Sequence, residues 1–204
     1  MRRALLIFGL LLAACSAIFE PRPDTSRFFT LSAVAESPAS PSGVVAVGLG
    51  PVRVPAYLDR PELATRVATS EVTFSPTDRW AEPLSASLRR VLAQNLSTLL
   101  GTEEIYAFPW PAGTQLDWAV TVDLTRFERT PAGEVEVVAR WVVREGAGGR
   151  IRLSRETRHT ENADGSSTAS VVDAWNKAVA ALSADIASGI TPLGTTRDGA
   201  LGKP

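Results

Sequence analysis

The chain has 204 residues, with 21 basic side chains against 22 acidic ones and a formal net charge of −1. That near-balance argues against nucleic acid as a partner, because nucleic-acid binders carry a strongly basic face. With one cysteine and one histidine, an internal disulfide is impossible and a thiol–imidazole zinc site is not expected.

Residues 1–15 read MRRALLIFGLLLAAC. Arg2 and Arg3 precede a short apolar run, Ala4 to Leu12, which is well below the ~20 residues a bilayer-spanning helix needs. The proportions are those of a secretory signal peptide. Leu12-Ala13-Ala14-Cys15 fits the bacterial lipobox, so residues 1–14 are expected to be removed and Cys15 to carry a diacylglycerol and an N-acyl (palmitate-type) chain. Two or more acyl chains give a durable anchor where one gives only a marginal one. The mature part would keep 190 residues (204 − 14), with 19 basic and 22 acidic side chains, or −3. Ser16 stands where an aspartate would hold an enteric lipoprotein at the inner membrane, which favours the periplasmic face of the outer membrane.

Residues 15–26 are polar and proline-bearing and fit a lipidated stalk. Arg27 to Leu31 reads as a first strand, and residues 35–43 as a Pro/Ser/Gly loop. Val44 to Val54 reads as a strand that Gly48, Gly50 and Pro51 interrupt, which predicts a bulge. Pro55 to Pro61 is a turn, and Leu63 to Ala68 with Glu71 to Phe74 a hairpin. Leu84, Leu88, Val91, Leu92, Leu96 and Leu99 keep a 3.6-residue period, so Pro83 to Leu100 is a helix ended by Gly101. Ile105 to Phe108 is a short strand.

Leu116 to Leu124 alternates, with Trp118, Val120 and Val122 inward and Asp117 outward, and Glu134 to Val143 does likewise. Pro131-Ala132-Gly133 joins them, and Arg150 to Thr160 is a third antiparallel strand with the polar composition of an edge. Its histidine, His159, reads as a solvated strand residue rather than a catalytic one. Ser166 or Ser167 caps a last helix to about Ser188, whose buried stripe contains Val171, Trp175, Val179, Leu182 and Ile186. Residues 191–204 have the composition of a disordered tail. These elements predict one α+β domain over residues 27–190, a mainly antiparallel sheet with two amphipathic helices on one face.

The sequence gives no catalytic site to name. It contains no G-x-S-x-G elbow, and its Gly202-Lys203 is followed by Pro204, so no P-loop is present. A lipidated Cys15 offers no thiol for Cys–His catalysis. A non-enzyme without cofactor or metal is the expectation.

Two segments are more specific than their physics requires: VGLGPVRVPAYLDRPELATR at 47–66 and RWAEPLSASLRRVL at 79–92. Behind a lipobox and an RFFTL strand, they resemble the ABC-type transport auxiliary lipoproteins of the paraquat-inducible protein C type. The resemblance continues through Leu100-Gly101, Phe108-Pro109-Trp110, Arg126-Phe127-Glu128 and Ala139-Arg140-Trp141. It implies an outer-membrane lipoprotein serving an MCE-domain protein that works with an inner-membrane permease and ATPase in lipid transport. Homo-oligomers would be compatible with that role.

Prolines 55, 61 and 83 restrict the backbone around Tyr57 and Trp80. Trp80 could simply lid the core, with Arg79 and Glu82 a local charge pair. Alternatively, Tyr57, Asp59, Arg60, Arg79 and Trp80 form a docking surface, since aromatic and arginine side chains are the usual interface anchors. A lipid carrier or a structural envelope lipoprotein remain the competing functions. A carrier would need an apolar cavity of some hundreds of Å³, whereas the tryptophan-rich strands and two helix stripes predict a filled core.

Overall fold

Alternation of apolar and polar side chains builds the centre of the sheet. The computed structural model describes residues 24–36 and 45–196. Its strands are β1 (Arg27–Phe29), β2 (Val47–Arg53), β3 (Glu62–Ala68), β4 (Glu71–Trp80), β5 (Ile105–Ala107), β6 (Trp118–Arg129), β7 (Val135–Glu145) and β8 (Ile151–Glu161). Helix α1 (Leu84–Leu100) follows β4, and α2 (Thr168–Ile190) follows β8.

The antiparallel meander β6–β7–β8 is present as read from the sequence. Trp118, Val120, Val122 and Leu124 of β6 and Val137, Ala139, Trp141 and Val143 of β7 are buried under the helices. A register shift between Leu124 and Arg126 inserts one residue, so Phe127 rather than Arg126 takes the next inward place.

The other flank of β6 is parallel. Strand β2 runs beside its first half (Val47 opposite Trp118, Val52 opposite Val122), and β3 meets its end (Thr65 opposite Arg129). The sheet is therefore mixed: β1/β4, β2/β5, β2/β6 and β3/β6 are parallel, and β3/β4 joins the meander as antiparallel. The expected bulge in β2 is a register shift between Leu49 and Val52. Gly48 is needed for a second reason: a Cβ there would lie 2.4 Å from Leu116 Cδ1 and 3.2 Å from the Trp110 ring.

Both helices follow their predicted stripes, except that Leu100 and not the expected Leu99 completes the first, Leu99 being only partly buried. Leu84, Leu88, Val91, Leu92, Leu96 and Leu100 of α1 are buried, and Gly101 closes the helix at φ 64°, a left-handed conformation that suits glycine. Ser167 caps α2 by accepting from the Ser170 N–H at 3.1 Å. Trp175 of α2 stacks on Phe127 (centroids 5.2 Å apart) and meets Trp80 at 5.3 Å. Full burial of each such ring contributes about 1.5–3 kcal/mol. Between the helices, buried Asn95 and Asn176 accept the backbone N–H groups of Ala35 and Ser32, fastening the chain that enters from β1.

Several expectations are corrected. Strand β4 does not stop at Phe74 but runs to Trp80. Its ladder with β3 is interrupted after Phe74 (opposite Ala64) and resumes at Arg79 (opposite Glu62), and within that irregularity Ser75 Oγ accepts the N–H of Asp78 at 2.9 Å. Asp117 is not an outward residue: it is fully buried and accepts the Ala46 N–H at 2.9 Å. His159 is not simply solvated, since its Nε2 lies 2.8 Å from Asp185 on α2 and ties β8 to that helix. Residues 191–196 are not loose tail. Thr191–Leu193 form a 3-10 turn, Trp118 Nε1 donates to Gly194 O at 2.7 Å, and Thr196 N donates to Asp117 at 2.8 Å. Residues 197–204, most of the stalk, and Cys15 lie outside the described residues.

Candidate docking surface

The helices cover one face of the sheet; the other, the open face, is covered at β2 by Leu116 and Trp110 over Gly48 and carries no described helix elsewhere. Phe127 points at Trp175, so its neighbour Glu128 lies on the open face; Trp80 also meets Trp175, so Arg79 lies there too.

The turn at residues 54–61 leaves the sheet between β2 and β3. Its backbone is fixed by Leu58 N donating to Pro55 O (2.9 Å) and Asp59 N to Ala56 O (3.3 Å), while the Leu58 side chain is buried in the core. Trp80 N then donates to Pro61 O at 2.6 Å, joining this turn to the strand–helix junction. The two meet around an open cavity of about 290 Å³ lined by Asp59, Arg60, Pro61, Trp80, Glu82 and Pro83.

Arg60 is the cation held at the cavity. Its guanidinium sits 3.8 Å from the Phe74 ring centroid, and its Nε donates to Glu62 at 2.8 Å. Arg60, foremost by that hydrogen bond, holds the Glu62 carboxyl below the usual carboxylate range. Glu82 is also held low, chiefly by Arg90, whose Nη2 lies 2.6 Å from it and also donates to Leu31 O. The expected Arg79–Glu82 pair is thus not formed. Arg79 stands opposite Glu62 across the β3/β4 ladder, and among the described residues its buried Nε has no hydrogen-bond partner.

Tyr57 turns elsewhere on the open face. Its hydroxyl donates to Glu128, a carboxylate whose side chain is 1% exposed and which also receives Nε and Nη2 of Arg66, the latter at 2.8 Å. Burial first, then the neighbouring Glu128, pushes the Tyr57 phenol up to about 12.

The five candidates therefore divide. Asp59, Arg60 and Trp80 share the cavity, Arg79 lies beside it in register, and Tyr57 belongs to the Glu128 cluster. Trp80, only 5% exposed, is a core residue and not a surface anchor. Sequence reasoning missed Phe74, Glu62, Arg66 and Glu128 as parts of this surface. The only signal for the last was its place in the Arg126-Phe127-Glu128 motif.

Among the described residues there is no group of three or more His, Cys, Asp or Glu placed to hold a metal ion. Nor is any described helix long and apolar enough to cross a membrane. Two further open cavities, about 160 and 340 Å³, are lined partly by Asp78 and Arg129 and by Arg66 and Arg129 respectively. Neither is an apolar tunnel.

A family model described as the ABC-type transport auxiliary lipoprotein component matches residues 29–187. A search of curated proteins finds no significant match. Among solved structures, protein XCC0632 from Xanthomonas campestris superposes with a TM-score of 0.70 at 16% identity, covering 85% of this chain and 99% of that one. A crystal structure of an uncharacterized protein gives 0.68 at 21% identity, covering 81% of this chain and 98% of that one. At such identities the likeness is one of fold.

Proposed function

This chain belongs to the family of ABC-type transport auxiliary lipoprotein components, and on that premise we propose that it is a non-catalytic, lipid-anchored docking component of an MCE-type lipid transport system. In this reading Cys15 carries the acyl chains that hold the domain at the periplasmic face of the outer membrane. From Cys15 to Asp24 is nine residues, which span at most about 30 Å when extended. The open face of the sheet then receives the MCE-domain protein that works with the permease and ATPase.

The observation that carries the reading is the convergence of the turn at 54–61 with the end of β4. It presents Arg60 and Arg79 on backbone already fixed by prolines, by Leu58 and by the Trp80–Pro61 bond. A surface ordered before binding loses little conformational freedom on docking, and arginine is a frequent anchor at interfaces.

The test replaces Arg60 and Arg79 with alanine and compares capture of the MCE-domain protein with thermal unfolding. The expected result is capture weakened about tenfold or more, as for loss of interface anchors, with the melting temperature retained. Unchanged capture per folded molecule would refute the assignment of this face. In parallel, Cys15→Ser should abolish fatty-acid labelling and sedimentation with membranes; labelling that persists would refute the anchor.

A further inference from the structure

The meander ends in a long edge. Strand β8 spans 11 residues and, among the described residues, bonds only to β7, so its outer row of N–H and C=O groups faces away from the sheet. Such a row is a template for another strand. Its exposed residues carry both signs of charge: Glu156 and Arg158 on the open face, and Arg155 on the helix side opposite Trp141. Glu156 is exposed and has no ion-pair partner in its own chain among the described residues.

We infer that β8 pairs antiparallel with β8 of a second copy of this chain, about a two-fold axis through Thr157. The strand's own alternation selects this register. Facing residues in an antiparallel pair must share a sheet face and a bonding direction, and both alternate with period two. Across a two-fold axis the two facing residue numbers must then have an even sum, which places the axis on a residue and not between residues.

With the axis on Thr157, Glu156 faces Arg158 of the second copy, and this unlike pair occurs twice. Ser154 faces Thr160 on the same side, also twice, and the ladder covers residues 153–161. The side is the open face, because Glu156 and Arg158 stand in register with Arg140 and Val138 of β7. The two nearest permitted axes fail. An axis on Glu156 sets that carboxylate against itself, and one on Arg158 sets two guanidiniums together. Unlike charges directly opposite favour a pair and like charges disfavour it. A slip of one residue would turn the two copies' faces against each other.

The edge lies at the far end of the strand order from β1 and β4. Pairing there would leave the Arg60–Arg79 surface uncovered, so this inference stands or falls independently of the docking role.

The experiment is sedimentation equilibrium of the full-length lipoprotein in a density-matched detergent. The wild-type protein is expected to sediment as a dimer. Glu156→Arg and Arg158→Glu should each weaken association about tenfold, because two unlike pairs become two like ones. The double variant Glu156→Arg/Arg158→Glu should restore the dimer, since it reverses each pair without mismatching it. Arg158 also donates to Glu136 in its own chain, so melting temperatures are recorded alongside. A restored dimer in the double variant cannot come from restored stability, because that internal pair stays broken. A wild-type protein that remains monomeric at the highest concentration reached would overturn the inference. So would a dimer that ignores both single reversals, or a double variant no better than they are.

Discussion

Truncating the chain after Ile190 should destabilise it, although the composition beyond that point is that of a tail. The shortened chain loses the bond from Trp118 Nε1 to Gly194 O, and both the N–H and hydroxyl bonds from Thr196 to Asp117 Oδ1. Asp117 is fully buried, so the charge must be satisfied from within. A neutral bond contributes about 1 kcal/mol net and one to a charged group about 1.5–3, partly recovered where water reaches the freed groups, which gives a loss of roughly 3 kcal/mol. In a domain of this size each kcal/mol moves the melting temperature by about 2–4 °C, so the drop should be about 6–12 °C. The assay compares melts, followed by circular dichroism, of chains ending at Ile190 and at Thr196. The Thr196 chain keeps all three bonds and should melt like the full chain. Curves that coincide within about 2 °C, well inside the expected shift, would refute the reasoning.

Trp175→Ala removes a fully buried ring that touches both Phe127 and Trp80, and should cost about 3–5 kcal/mol, visible as a lower denaturant midpoint. The chain has two tyrosines, and absorbance of the phenolate should show Tyr57 ionising near pH 12, a phase that Tyr57→Phe removes. The sign follows from the direction of the shift. The fold raises this phenol's pKa from 10 to about 12 and so favours the protonated form; the stability it contributes is complete below pH 10 and lost as pH rises through 12. Wild-type and Tyr57→Phe melts that respond identically to pH over that range would contradict the link.

Local periodicity made both helices and the β6–β7–β8 meander legible, because each is specified by side chains a few residues apart. The parallel joins were not, since Val47 and Trp118 meet across a separation that no pattern within either strand encodes. Strand β4 continues past Phe74 through a break in its ladder with β3, where the Ser75 hydroxyl accepts the Asp78 N–H, and no periodicity within the strand announces that continuation. Asp117 and residues 191–196 misled for one shared reason. Each has polar composition, and the two meet inside the fold, where Thr196 donates both its N–H and its hydroxyl to Asp117. At the candidate surface, Asp59, Arg60 and Arg79 stood out through a resemblance, whereas Arg66 and Glu128 are 62 residues apart and neither announces the other.

The open face resolves a charge problem in a way that bears on docking. Glu128 and Glu136 face each other across β6 and β7, an arrangement that like charges disfavour. Each is relieved by its own cations: Arg66 on Glu128, Arg126 (2.8 Å) and Arg158 on Glu136. The two carboxylates thereby pin three arginines and Tyr57 in place, so this polar face is ordered without help from the core. Removing Glu128 would leave the Arg66 guanidinium, itself largely buried, without its main partner. Stability and surface shape are thus tied at Tyr57, Arg66 and Glu128, and a substitution there would confound a binding assay with a folding defect. Arg60 rests instead on Phe74 and on a Glu62 that is only 22% exposed, and among the described residues the Arg79 Nε has no hydrogen-bond partner to lose. Alanine at these two positions changes the surface and spares the pinned cluster, which is why the docking role is best judged there.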